Sequence, residues 1–266
     1  WLLNDTYHFR KVSAKRSQQM LCAGFDRKRH GVYMFNRDSL LFLDLATERL
    51  SACRTVNHCP VINACATSFI NPEDGSIYVY QVYYDDDMNK GLPTVARLDP
   101  STLLWEVLSS EPLDMQMHHH SQWFDEDQNR FTIFGGYGNR RYNGSFYDFD
   151  LSDCSWSSWD IEKGDVIYPR FFCSMGYDEA NAKLLIFGGM GNESGDQIVG
   201  REYSYDLFEV DPRDRSSRRV WTADWKGDNC VAVRGMVVDG DSFYTLCYPE
   251  YETFSELKLY RFSLET

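Results

Sequence analysis

Short apolar segments, each bounded by turn-forming residues, recur along the chain at regular intervals. Five can be aligned: Val32–Phe35, Ile77–Tyr80, Phe131–Phe134, Leu184–Phe187 and Phe243–Leu246. Their last residues are separated by 45 to 59 positions. Apolar segments of this length between turn signals predict β-strands, and no long stretch of the chain keeps a helical period. The pattern therefore predicts an all-β protein built from five similar units.

Two further signals recur in step with these segments. The third and fourth segments are followed by the diglycines Gly135-Gly136 and Gly188-Gly189, 53 residues apart. A strand that turns tightly beside a neighbour has no room for a side chain and often needs φ > 0, so the diglycines predict such turns. A second short segment then follows in every unit: Phe42-Leu43-Asp44, Arg97-Leu98-Asp99, Asp148-Phe149-Asp150, Glu209-Val210-Asp211 and Arg261-Phe262-Ser263. Tryptophan comes after three of these, at Trp105, Trp156 and Trp221.

A unit of about 50 residues with a diglycine after its second strand and a tryptophan near its end resembles the kelch repeat. The resemblance covers nearly the whole chain, although only two units carry Phe-Gly-Gly. It implies an all-β, kelch-like β-propeller of four-stranded blades. One domain with five blades is predicted, at residues 19–56, 61–108, 114–160, 168–224 and 229–266. The last unit lacks an outermost strand, which residues 1–18 are expected to supply; a ring of six blades is the alternative.

Composition and charge narrow the classes of partner. The chain has 266 residues and a net charge of −13, so a nucleic-acid backbone would be repelled. It contains no apolar run long enough to cross a membrane as a helix. Because the sequence begins with Trp1 and shows no signal peptide, we expect it to be a mature or excised segment of a longer protein.

The eight cysteines belong to a chain too long to need a disulfide framework. Cys22, Cys65, Cys173 and Cys230 each precede the second strand of their unit by 10 to 13 residues. This spacing places them on the innermost strand, where small apolar side chains suit the crowded centre, and predicts buried free thiols. A small disulfide between Cys53 and Cys59 is the alternative for that pair.

The candidate binding residues lie on one face of the predicted propeller. Loops between the second and third strands share this face with the connections between blades, and they are rich in tyrosine, arginine and amide side chains. Tyrosine can stack on a sugar or a peptide, and arginine supplies fixed donors to carboxylate and hydroxyl groups. The predicted ligand-binding residues are Tyr83, His118, His120, Arg140, Arg141, Tyr142, Arg170, Arg201, Arg234 and Tyr251.

The run His118-His119-His120 is the strongest candidate for metal chemistry. Alternate residues of a strand share a face, so at most His118 and His120 point the same way, and a metal site would need further ligands from other blades. The kelch resemblance also extends to the galactose oxidase family, whose central propeller has this repeat and whose activity implies copper held by histidines and tyrosines. No such ligand set can be matched here. We therefore assign no metal, no cofactor and no catalytic residue.

These observations favour a non-catalytic propeller that binds a small carbohydrate, a peptide or a protein through its loop-rich face. Similar propellers serve as sensor segments of larger signalling proteins, which makes glycan sensing in an extracytoplasmic compartment the favoured specific function. One alternative is a carbohydrate-active enzyme, either a copper oxidase or a hydrolase or lyase that uses carboxylates such as Asp85 and Asp196. Another is an intracellular protein-interaction scaffold, which free thiols would suit.

Overall fold

The first two sheets are four-stranded and antiparallel, and their strands follow chain order. The computed structural model describes residues 21–61, 66–82, 91–114, 116–253 and 255–265. The first sheet contains β1 (Leu21–Asp26), β2 (Gly31–Phe35), β3 (Ser39–Asp44) and β4 (Arg49–Arg54). The second sheet contains β5 (Thr67–Ile70), β6 (Ile77–Tyr80), β7 (Val95–Asp99) and β8 (Leu104–Ser109).

The third and fourth sheets repeat this arrangement and add short strands at their ends. The third contains β9 (Ser121–Asp125), β10 (Arg130–Phe134), β13 (Phe146–Asp150) and β14 (Ser155–Trp159), with β11 (Tyr137–Gly138) and β12 (Arg141–Tyr142) as a separate hairpin. The fourth contains β17 (Ser174–Asp178), β18 (Lys183–Phe187), β21 (Asp206–Asp211) and β22 (Ser216–Thr222), with β15 (Lys163–Gly164) parallel to β22. A small three-stranded sheet contains β16 (Arg170–Phe171), β19 (Met190–Gly191) and β20 (Glu202–Tyr203).

The fifth sheet has an interrupted innermost strand. Both β23 (Val231–Ala232) and β24 (Val237–Asp239) pair with β25 (Ser242–Tyr248), which pairs in turn with β26 (Lys258–Ser263). Within the described ranges no further strand pairs with the outer edge of β26. The expectation that residues 1–18 supply this strand concerns residues outside those that the structure describes.

The second recurring signal has a structural explanation in the turn after each third strand. Asp44, Asp99, Asp150 and Asp211 each end a third strand, and their carboxylates accept a hydrogen bond from the backbone N–H two residues further on. In the fifth sheet Ser263 replaces Asp, and its hydroxyl accepts the equivalent bond from the Glu265 N–H at 3.1 Å. Such side-chain bonds stabilise the hairpin turn, so this position of the repeat is a turn cap.

The hydrophobic core is divided into layers between consecutive sheets. One layer joins the first and second sheets around Phe35 and Trp105, whose rings lie 5.3 Å apart. Similar layers join the second sheet to the third, the third to the fourth and the fourth to the fifth. Each of these sheets therefore packs face to face with the next one along the chain.

The first strands of all five sheets contribute residues to one cavity. A cavity of about 380 Å³ is lined by residues of every sheet, including Phe25, Phe69, Phe124, Tyr177 and Val237. The predicted all-β class is confirmed: the described residues form antiparallel sheets of mostly four strands, and the helical structure among them is a single 3₁₀ turn at Gln197–Val199. No helix in this part of the chain is both long and apolar enough to span a membrane.

Candidate functional site

One end of the assembly carries most of the structure outside the main sheets, and we call it the loop face. It comprises residues 135–145, 188–205 and 248–253, together with the segments that lead into the first strand of each sheet. The diglycines belong to it: Gly135 and Gly136 have φ of +74° and +104°, and a Cβ at Gly136 would lie 2.7 Å from Met117 Cβ. The predicted tight turns with positive φ are thus confirmed, and they bring the loop backbone against the neighbouring connection.

A cavity of about 200 Å³ lies where the third, fourth and fifth sheets meet at this face, and we call it the mouth cavity. Its walls combine two imidazoles, one guanidinium, two aromatic rings, a thiol and small apolar residues. They are His119, His120, Phe172, Cys173, Ala232, Val233, Arg234 and Tyr248. Two of the predicted site residues, His120 and Arg234, are therefore brought together although they are 114 positions apart.

His120 is fixed by hydrogen bonds at both ring nitrogens. Its side chain is 1 % exposed, its Nδ1 lies 2.8 Å from the Met117 carbonyl oxygen and its Nε2 lies 2.7 Å from the Tyr80 hydroxyl. Since a carbonyl only accepts, Nδ1 carries the proton and Nε2 accepts from Tyr80. Both nitrogens are thus already engaged, and they would have to lose these bonds before binding a metal.

Arg234 supplies the positive charge of the mouth cavity. Its Nε donates a 2.8 Å hydrogen bond to the His120 carbonyl, which positions the guanidinium at the rim. Burial and the neighbouring Arg234 charge hold the pKa of His120 well below its usual value. His119 is exposed over part of its surface, but partial burial, Arg234 and His118 lower its pKa to about 4. At neutral pH the cavity therefore presents one fixed cation beside two neutral imidazoles.

The backbone is strained on two sides of the mouth cavity. His119 and Phe172 have φ of +53° and +56°, although neither is glycine. They occupy equivalent places in successive sheets, each two residues before the innermost strand, and their rings lie 4.0 Å apart. Left-handed conformation is unusual for a bulky residue such as Phe, and strain of this kind concentrates at functional sites.

Two of the predicted ligand-binding residues are buried in structural roles. Arg170 is 2 % exposed and its Nη1 lies 2.6 Å from Asp206 Oδ1 and 3.0 Å from the Gly188 carbonyl. Tyr142 is 5 % exposed, and its ring stacks on Phe171 at 5.2 Å. In this arrangement Arg170 holds the second diglycine turn and Tyr142 belongs to the apolar layer beneath the loops.

The remaining predicted residues lie on the loop face outside the mouth cavity. Arg140 and Arg141 are exposed in the β11–β12 hairpin, and Arg141 bridges Asp196 through the backbone. Arg201 Nη2 lies 3.6 Å from Glu250 Oε1, and Tyr251 is 54 % exposed. Their predicted contact with a ligand stays a prediction.

Four other residues named from the sequence include two that the structure describes, His118 and Asp196. His118 is half-buried, and its backbone pairs with Tyr137 beside the mouth cavity. Tyr83 and Asp85 lie outside the described residues. Asp196 caps the 3₁₀ turn by accepting from the Ile198 N–H at 2.8 Å, so its carboxylate already has a structural role.

Sequence reasoning missed Phe172 as a wall of the mouth cavity. It is an ordinary aromatic residue next to a predicted strand, and its own segment does not separate it from the core. A usable signal exists, because Phe172 aligns with His119 of the histidine run when the two units are superimposed on their first strands. Tyr248 lies at the start of a predicted binding-face loop, of which only Tyr251 is among the predicted ligand-binding residues.

The described residues contain no group of three or more His, Cys, Asp or Glu side chains arranged to hold a metal ion. A scan against protein-family models and a search of curated proteins found no match to the chain. The candidate site therefore stands on its own geometry.

Proposed function

We propose that this protein is a kelch-like β-propeller of five blades that binds a small acidic sugar, without catalysis, at the mouth cavity of its loop face. The propeller is supported by the packing of each sheet on the next and by the cavity that residues of all five innermost strands line. A radial arrangement of four-stranded antiparallel sheets around a shared centre is what defines this fold.

Arg234 lies beside neutral imidazoles and aromatic rings, and this combination is the observation that supports an acidic sugar as the ligand. The planar guanidinium fork suits a carboxylate, for which it provides paired donors. Neutral imidazoles can donate to and accept from hydroxyl groups, and the rings of Phe172 and Tyr248, 6.3 Å apart and nearly perpendicular, offer apolar faces to a sugar ring. These are the groups that a uronic acid or a similar sugar acid presents.

The size of the mouth cavity favours one sugar unit over a long chain. Pockets for drug-sized ligands are usually about 300–1,000 Å³, and the mouth cavity is smaller, at about 200 Å³. It would accept the end of an acidic glycan, with the rest of the glycan lying across the exposed Arg140 and Arg141. Glycan sensing in an extracytoplasmic compartment, as a segment of a larger protein, is the function most consistent with this reading; it rests on analogy of fold.

Calorimetric titration of the full chain with D-glucuronate and with D-glucose tests the proposal. Glucuronate should bind with one site and glucose should not, since the two sugars differ at the group that Arg234 would hold. Arg234→Gln should weaken glucuronate binding by about tenfold or more, the usual effect of losing a charge-assisted hydrogen bond. Arg218→Gln is the matched control, because that arginine pairs with Glu209 on an outer strand.

Arg234 also bonds to the His120 backbone, so its loss could disturb the fold. Arg234→Lys keeps a positive charge and loses the fork, and should weaken binding while the circular dichroism spectrum and melting temperature stay close to the wild-type values. Absence of glucuronate binding, or equal binding by wild type and Arg234→Gln, would overturn the proposed ligand class.

A further inference from the structure

Two cysteines of the fifth sheet face the same cavity. In the β23–β25 pair Ala232 lies opposite Cys247, and Cys230 lies two residues before Ala232, on the same side of the strand. Cys230 and Cys247 belong to one cluster of buried side chains. Both also line a cavity of about 400 Å³, which we call the thiol cavity.

The two thiols influence each other and differ in acidity. The neighbouring Cys247 thiol and the Lys258 charge lower the pKa of Cys230 despite its burial. The neighbouring Cys230 and burial raise the pKa of Cys247. Lys258 is held next to them by register, because it lies opposite Cys247 on β26. Such a pair has one sulfur disposed to act as a thiolate and one disposed to keep its proton.

The other buried cysteines lack this arrangement. The Cys59 thiol donates to the Val61 carbonyl, and burial raises its pKa to about 12. The Cys173 sulfur lies 3.0 Å from the Ser121 hydroxyl in the wall of the mouth cavity. Neither has a second thiol in these contacts. Among the residues that the structure describes, a two-cysteine reaction is therefore favoured only at Cys230 and Cys247.

We propose that Cys230 and Cys247 form a thiol–disulfide exchange site, which low-molecular-weight disulfides reach through the thiol cavity. The walls of this cavity combine the aromatic surface of Trp225 and Tyr260 with charges of both signs, the cation of Lys258 and the carboxylates of Asp228, Glu252 and Glu256. They suit a zwitterionic disulfide, which carries both carboxylate and ammonium groups. The site lies outside the mouth cavity and shares only Tyr248 with it. Its activity does not depend on sugar binding.

The exchange proceeds in two balanced steps. The Cys230 thiolate attacks one sulfur of the substrate disulfide, forms a mixed disulfide and releases one small thiolate, which takes up a proton. Cys247 then gives up its proton and attacks the Cys230 sulfur, which forms the Cys230–Cys247 disulfide and releases the second small thiol. The protein dithiol is oxidised by two electrons, and the substrate disulfide is reduced to two thiols.

Equilibration of the native full chain with glutathione and glutathione disulfide tests the site. After acid quenching, alkylation and peptide mass spectrometry, the oxidising buffers should show two fewer alkylatable thiols than the reducing buffers. The lost pair should appear as a crosslink between the peptides that contain Cys230 and Cys247. The fraction crosslinked should follow a two-electron dependence on the buffer potential.

Three variants assign the steps. Cys247→Ala should stop at a glutathione adduct on Cys230, and Cys230→Ala should leave Cys247 unmodified. Cys59→Ala, which removes a buried thiol outside both cavities, is the matched control and should crosslink like the wild type. The wild-type measurement remains decisive even if a variant fails to fold. Full alkylation of Cys230 and Cys247 in the most oxidising buffer, or a crosslink that appears only in denaturant, would overturn the proposal.

Discussion

The Tyr80 hydroxyl lies 2.7 Å from His120 Nε2 and faces a second acceptor, Gln122 Oε1, at 2.6 Å. The Gln122 amide is oriented by its Nε2, which donates to the Ser68 carbonyl at 3.2 Å. One hydroxyl proton therefore serves two acceptors while His120 is neutral. Protonation of Nε2 would supply the missing donor, but burial and Arg234 oppose it. The buried network holds a neutral imidazole at the edge of the mouth cavity.

Removing the Tyr80 hydroxyl should destabilise the fold without changing its shape. In Tyr80→Phe the acceptors on His120 and Gln122 lose their donor in a buried place, which costs about 1–3 kcal/mol. Urea denaturation measures this loss. Tyr244→Phe is the control, since the Tyr244 hydroxyl has no hydrogen-bond partner within the described part of the chain. Equal free energies of unfolding for the two variants would contradict the assigned network.

Stability should fall as the pH decreases from neutrality. The pKa of His120 is depressed in the folded protein, so below about pH 6.5, where an unfolded histidine takes up a proton, the unfolded chain binds a proton that the folded chain does not. His119, with a pKa of about 4, acts in the same direction down to that value. The loss therefore begins near pH 6.5 and grows on acidification.

Urea denaturation at several pH values between 5 and 7.5 checks this sign. His120→Asn should flatten the dependence by at most about 1.4 kcal/mol per pH unit, the effect of one proton. The groups that face His120 and could share the effect are Arg234, His118 and His119. A variant with the same pH dependence as the wild type would show that His120 is not held neutral.

Arg170 should contribute to stability through its buried ion pair with Asp206. Arg170→Leu leaves the Asp206 carboxylate without its partner, and breaking a buried pair costs about 3–5 kcal/mol. The double variant Arg170→Leu, Asp206→Leu removes both charges and should recover much of the loss. Thermal or urea unfolding of the three proteins gives the comparison. A double variant less stable than Arg170→Leu would contradict this account.

Alanine substitutions at Gly200 and Gly136 separate the backbone cost of positive φ from the steric cost of an added Cβ. Gly200 and Gly136 have nearly equal φ, +101° and +104°, but a Cβ has open space at Gly200 and meets Met117 at Gly136. Gly200→Ala should cost about 1–3 kcal/mol for the backbone alone. Gly136→Ala should cost about 1–3 kcal/mol more, as overpacking does. Equal losses in urea denaturation would show that Met117 moves aside freely.

The sequence predicts the structure best where apolar segments and turn-forming residues recur in each unit. The segment predicted over Phe131–Phe134 is β10, since a strand covered on both faces needs an unbroken apolar run. The Asp that ends the third strand of four sheets is a local turn cap, so its role depends on residues two positions away. Such features can be derived without the tertiary structure.

The site residues depend on contacts that no local pattern encodes. Arg170 lies in a polar connection, and its partner Asp206 is 36 positions later, so the sequence does not separate it from an exposed arginine. Tyr142 lies beside exposed Arg141 in a two-residue strand whose alternate side chains face opposite ways. The position of Phe171, on which the Tyr142 ring stacks, decides that Tyr142 and not Arg141 points toward the core.

The most direct test of binding at the mouth cavity is a side-chain NMR titration of the full chain with D-glucuronate. The Arg234 Nε–H and the His119 ring should shift and saturate together, while D-glucose leaves them unchanged. The Trp123 indole lines the cavity of about 380 Å³ at the opposite end of the first strands. A shift of its signal would show that glucuronate binds in that cavity instead. Saturable shifts at Trp123 with Arg234 and His119 unmoved, or no saturable shift at any of the three, would contradict the account.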